Sequence, residues 1–182
     1  MSRNSLVSCR SSEPRPQEMK SGTEIPPLRQ AVMLGVFLVV CLGSGAVGSV
    51  VTAPQIPTWY ASLNKPPWNP PSWVFGPVWS TLYVMMSVAL WLAWKKVGTV
   101  QERGFLWFWI QLFLNASWSF LFFGWQQPGW AFAEILLLWV SIAATVWMFR
   151  RYSTLAALLL VPYLGWVTFA AYLNFTIWRL NR

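Results

Sequence analysis

The sequence predicts an all-α membrane protein, a bundle of five transmembrane helices with a long Pro/Trp-rich loop between helices 1 and 2. Three observations predict it. Of 182 residues, 56% are hydrophobic and only 10% charged, against roughly 25% charged in a soluble domain. Five apolar segments, at about 31–51, 77–94, 105–124, 130–149 and 156–178, approach the roughly 20 residues that cross a hydrocarbon core. The charged residues, Glu134 apart, fall between those segments or at their ends. Segments this apolar on all sides must be helices, because only a helix satisfies its own backbone in lipid.

Residues 1–29 are rich in Ser, Pro, Arg and Glu and lack hydrophobic periodicity, so they are expected to form a disordered polar tail ahead of one domain over 30–182. The first apolar run, Ala31 to Val51, is too long for the core of a cleavable signal. Its glycines, Gly35, Gly43, Gly45 and Gly48, either allow close helix contact or leave room for a ligand. The segment Thr52 to Gly76 is the outlier among the connections. It holds six prolines together with Trp59, Tyr60, Trp68 and Trp73, too long for a mere link and too aromatic to be solvated, which makes a functional lid the natural comparison.

Formal charge is +8, and its distribution is topological. With five spans, the tail and the second and fourth loops share one side and carry Arg3, Arg10, Arg15, Lys20, Arg29, Lys95, Lys96, Arg103, Arg150 and Arg151. The opposite side has Lys65, Arg179 and Arg182. Basic residues mark cytoplasmic ends, so the N-terminus is expected in the cytoplasm and the proline-rich loop on the other face. The lipid bilayer is the expected partner, and nucleic acid is not. With no His at all, and with Cys9 and Cys41 far apart in character, neither a transition-metal site nor a disulfide is expected.

Counting residues from the loop-facing end of each span places Trp79, Asn115, Trp118, Trp130, Glu134, Ala170, Leu173 and Asn174 within about 14 Å of that face at 1.5 Å per residue. Gln111, Asn115 and Trp118 share one helical stripe, and Tyr163, Trp166, Ala170 and Asn174 share another. Such stripes describe either a packed interior or a ligand cavity. Glu134 is the only acidic residue in a span, read either as a functional intramembrane carboxylate or as a snorkelling side chain near a helix start.

The loop run from Trp59-Tyr60-Ala61-Ser62-Leu63-Asn64-Lys65-Pro66-Pro67-Trp68-Asn69-Pro70-Pro71 to Trp79 strongly resembles the first-loop signature of the tryptophan-rich sensory protein and translocator protein (TspO/MBR) family. Further matches follow in order. They are Gln111 to Asn115 with Trp118, Gly129-Trp130-Ala131 with Glu134, and Pro162-Tyr163-Leu164 through Phe169-Ala170 to Leu173-Asn174. The resemblance runs from about residue 30 to the end. It implies a five-helix bundle, usually a homodimer, whose first loop caps a pocket for porphyrins such as protoporphyrin IX and haem. Isoquinoline-type drugs and, in animal members, cholesterol are further ligands it implies.

Carried over residue by residue, the resemblance lines that pocket with Phe75, Trp79, Asn115, Trp118, Trp130, Glu134, Trp166, Ala170 and Leu173, and with Tyr60 and Trp68 from the lid. Asn174 joins them by depth and stripe. Lys65 or Arg179 near the mouth would pair with porphyrin propionates. The implied function is an integral-membrane tetrapyrrole sensor or translocator, with no cofactor required beyond porphyrin or haem as ligand. A membrane enzyme that degrades porphyrin by oxidative or photo-oxidative chemistry is the alternative, although no nucleophile and base pair supports a catalytic cycle. A small solute transporter is the third reading, and it would normally want paired intramembrane charges. Two departures bear on partners. Phe175 stands where the animal sterol motif has Tyr, which puts cholesterol in doubt, and the bulky run Leu106 to Ile110 gives no small-residue ladder for a tight dimer. The tail holds no convincing address, so a bacterial membrane is the expected location.

Overall fold

A computed structural model describes residues 25–182, and the expected tail therefore lies outside the described residues as far as Glu24. Five long helices cross the molecule: α1 (Pro27–Thr52), α3 (Phe75–Val97), α4 (Arg103–Ser119), α5 (Pro128–Tyr152) and α6 (Thr154–Leu180). A one-turn helix, α2 (Trp59–Ser62), lies in the long loop. Each of the five long helices, with the turns that extend it, is long and apolar enough to span a membrane. The chain is thus a multi-pass integral membrane protein.

Local chemistry sets the ends. α1 opens on Pro27 and α5 on Pro128, at the first helical position where a missing N–H costs nothing. α1 therefore begins four residues ahead of the apolar run used to place the span. α3 stops at Gly98, whose φ of 77° suits the residue that closes a helix, and its N–H donates to Trp94 O at 2.7 Å. Only Ser153 separates α5 from α6. It is extended, and its hydroxyl accepts from Ala156 N to cap α6. α4 runs on through a π-helical turn, Phe120–Gly124, which packs Phe122 and Phe123 together in the core.

The helices pack in a closed ring in the order α1, α3, α6, α5, α4 and back to α1. One large buried cluster runs through the ring, with Met86, Leu90, Phe108, Ile142, Leu160 and Tyr163 at its heart. A second cluster, Tyr60, Phe122, Phe123, Ala131, Leu173 and Ile177, lies beneath the long loop. α1 is the least buried member of the ring.

Two of the four α1 glycines work as contact points. A Cβ on Gly45 would collide with the Tyr83 ring, and one on Gly48 would come within 2.9 Å of Ser119 Oγ. Gly35 and Gly43 have nothing within 4 Å of that position, so the packing reading does not extend to them.

The long loop is tied down as a roof. Lys65 Nζ donates to the carbonyls of Tyr60 (2.6 Å), Leu63 (2.9 Å) and Ala61 (3.2 Å). An ammonium has three donors, so a single lysine collects the open carbonyl end of α2, a helix too short to hold itself. Tyr60 Oη donates to Asn69 Oδ1 at 2.8 Å. Asn64 N donates to Asn181 Oδ1 and Asn181 Nδ2 returns a bond to Asn64 O, both at 2.9 Å, which locks the roof to the end of α6. Trp68 then stacks on Tyr172 at 5.1 Å, strapping the loop across the outer side of α6.

Candidate ligand-binding cavity

Beneath this roof the ring encloses a cavity of about 560 Å³. That lies within the roughly 300–1,000 Å³ of small-molecule sites. Every helix of the ring contributes. α3 presents Phe75, Trp79 and Tyr83, α4 presents Asn115 and Trp118, and α6 presents Trp166, Ala170, Leu173 and Asn174. α5 adds Ile135 and Leu138, the roof adds Tyr60, and the inner face of α1 is a small-residue wall including Gly45, Ala46, Gly48 and Ser49. No Lys, Arg, Asp or Glu is among the lining residues.

Most of the amide and phenol groups of this wall are committed to one another, whereas Trp166 Nε1 is buried without a partner. Tyr83 donates to Asn115 Oδ1, and Asn115 Nδ2 donates to the Tyr163 hydroxyl at 2.9 Å, joining α3, α4 and α6. Trp118 Nε1 donates to Asn174 Oδ1 at 3.1 Å, and Asn174 Nδ2 donates to Pro128 O at 2.8 Å, joining α4, α6 and α5. Trp118 also stacks on Phe122 at 4.9 Å. Four helices are thus held in register around the hollow, and the exposed ring faces are free for a flat apolar ligand. Tyr60, outside the spans, has its phenol ionisation pushed up by burial, with the bond to Asn69 pulling the other way.

Nine of the twelve residues singled out from sequence line the cavity: Tyr60, Phe75, Trp79, Asn115, Trp118, Trp166, Ala170, Leu173 and Asn174. Three do not. Trp68 is on the outer side of α6 against Tyr172 and Phe169. Trp130 is 71% exposed on the outer surface of α5. Glu134 is buried at 9% exposure away from the cavity lining, and neither carboxyl oxygen has a hydrogen-bond partner. Gln111, on the same stripe as Asn115, is likewise buried with both polar atoms unpartnered and off the lining. Lys65 has its three donors occupied by the roof carbonyls rather than directed at a ligand.

Sequence reasoning left open whether the α1 glycines make room for a ligand, without naming the rest of the α1 wall, and it missed Tyr83 and the Phe122–Phe123 pair. Tyr83 was findable, since it follows Trp79 by one turn on the same stripe, and the Gly45–Gly48 pair marked the inner face of α1. The π turn carries no pattern that would have marked Phe122 and Phe123. Among the described residues, no group of His, Cys, Asp and Glu could hold a metal ion.

The fold and the cavity define a five-helix integral membrane protein whose bundle encloses an aromatic chamber under a proline-rich roof. Residues 37–179 match the model of the TspO/MBR family. The chain is 46% identical over 158 residues to the tryptophan-rich protein TspO of Chlorobaculum tepidum, covering 84% of this chain and 98% of that one. It is 46% identical over 127 residues to the translocator protein of Ovis aries, covering 68% and 75%. It is 39% identical over 145 residues to the tryptophan-rich sensory protein of Cereibacter sphaeroides, covering 80% and 89%. The chain belongs to the TspO/MBR family.

Proposed function

We propose that this chain is a membrane sensor or translocator that binds a tetrapyrrole in the roofed cavity, with the N-terminus in the cytoplasm and the roof on the opposite face. The observation that carries this reading is the chamber of about 560 Å³ walled by Phe75, Trp79, Trp118 and Trp166 with uncharged polar groups at its floor. Indole and phenyl faces stack on a macrocycle, and the uncharged walls favour its apolar body. Unpaired carboxylates are costly to bury, so the propionates stay at the opening. The sensing or translocating role is supported by the names of the relatives.

Direct titration with protoporphyrin IX tests the proposal. Ala170, at the cavity wall, is replaced by Trp to fill the chamber while keeping the helix apolar. Wild type is expected to bind saturably at one site per chain, and Ala170→Trp to bind at least about tenfold more weakly, roughly 1.4 kcal/mol. Equal affinity for the two proteins, both with the same helical content, would show that the porphyrin sits elsewhere.

A further inference from the structure

The end of the bundle away from the roof holds a second feature, independent of the cavity. α4 begins and α5 ends there, and the two ends are pressed together. Phe105 stacks on Tyr152 at 5.9 Å, and a Cβ on Gly104 would lie 2.7 Å from the Tyr152 ring and 3.2 Å from Met148 Cβ. A side chain at position 104 would force the Tyr152 ring to shift. Arg103, next to Gly104, and Arg150 and Arg151, next to Tyr152, therefore belong to the two helix ends that meet at this end of the bundle. All three arginines are exposed. Arg151 is seated over the Trp147 ring at 4.1 Å, and Trp147 is itself exposed one turn deeper into the apolar span. Exposed Leu106 and Trp107 lie at the matching depth on α4.

Three exposed arginines on two helix ends that meet, one of them seated on an exposed indole and with further exposed apolar residues one turn deeper, match an amphipathic anion rather than a soluble one. A guanidinium binds phosphate through paired N–H donors. The indole and leucine surface one turn below matches the start of an acyl chain, where aromatic residues anchor at the interface. We propose that the α4–α5 seam is a binding site for an anionic phospholipid, its phosphodiester held by Arg103, Arg150 and Arg151 and its upper acyl chain laid against Trp147 and Trp107. Arg151 is pre-oriented by its stack on Trp147, which lowers the ordering cost of the contact. The close Gly104–Tyr152 contact holds together the two helix ends that carry the three cations.

The test uses the full chain in detergent, titrated with phosphatidylglycerol or phosphatidylcholine and read by native mass spectrometry. Wild type is expected to retain phosphatidylglycerol in preference to phosphatidylcholine. The triple variant R103Q/R150Q/R151Q is expected to lose roughly 100-fold in affinity for it, on the scale of about tenfold or slightly less per cation near a charged surface. R179Q/R182Q, which removes two cations at the roof end, is expected to match wild type. A photoreactive phosphatidylglycerol on wild-type protein should label peptides containing Arg103 to Trp107 and Trp147 to Tyr152, so the proposal is tested even if the triple variant does not fold. Equal losses from both variants, or label spread evenly around the bundle, would overturn it. Displacement of the lipid by millimolar inorganic phosphate would overturn it too, by showing a simple anion site.

Discussion

Gly45→Ala and Gly43→Ala, two residues apart on α1, are expected to move stability in opposite directions. Both replace a helical glycine by alanine, which favours the helix by up to about 1 kcal/mol. They differ in what the new methyl meets. At Gly43 there is nothing within 4 Å, so the variant keeps the helix gain. At Gly45 the methyl overlaps the Tyr83 ring, which is held by its bond to Asn115 and flanked by Trp79 at 5.7 Å. Forcing an extra methyl into a packed contact costs about 1–3 kcal/mol. The helix contribution cancels in the comparison, so Gly45→Ala should be about 1–3 kcal/mol less stable than Gly43→Ala, the size of the steric cost alone. Reversible unfolding in mixed micelles, followed by tryptophan fluorescence, measures the difference. In a Tyr83→Leu background the gap should close, because the flexible side chain yields. A gap below about 0.5 kcal/mol in the wild-type background, or one that survives Tyr83→Leu, would refute the account of how α1 seats against α3.

The roof supplies two more expectations. Asn181→Ala removes the reciprocal bonds to Asn64; exchange of the Asn64 amide hydrogen should accelerate by about tenfold, for one or two bonds near 1 kcal/mol each, while the buried helical amides keep their protection. Tyr60 ties stability to alkaline pH. Its folded-state ionisation lies above the ordinary value of 10.0, so its contribution is fully present below that pH and is lost as pH rises through the raised folded value. An alkaline titration should therefore show wild type losing more stability above pH 10 than Tyr60→Phe; parallel curves would contradict the burial of that phenol.

Hydropathy alone placed the five spans, since a bilayer demands apolar length whatever the neighbours are. It did not place their ends. α1 starts at Pro27 because proline chemistry, not the apolar run, decides where the first turn forms. In the site, depth and azimuth were legible to different degrees. Counting 1.5 Å per residue gives the level of a side chain and says nothing about which way it faces. Trp130 and Trp118 both lie toward the loop-facing end, yet one faces outward and the other the cavity. Glu134, one turn on from Trp130, is buried outside the lining for the same reason. Stripes with a polar member, such as Asn115–Trp118 and Trp166–Ala170–Asn174, did reveal their inward facing, because a polar group is costly to expose to lipid. α1 is apolar all round, so no stripe announced that half of it walls the chamber.

The ring order has a consequence for assembly. α1 sits between α3 and α4 in the ring, so among the five long helices it is made before both of its neighbours. During that interval it must reside in the bilayer alone. Its uniformly apolar surface suits a solitary helix, and Gly45 and Gly48 then serve as vacant seats, filled when Tyr83 and Ser119 arrive. The chamber consequently has no closed wall until α6, the last of the five to be made, is inserted.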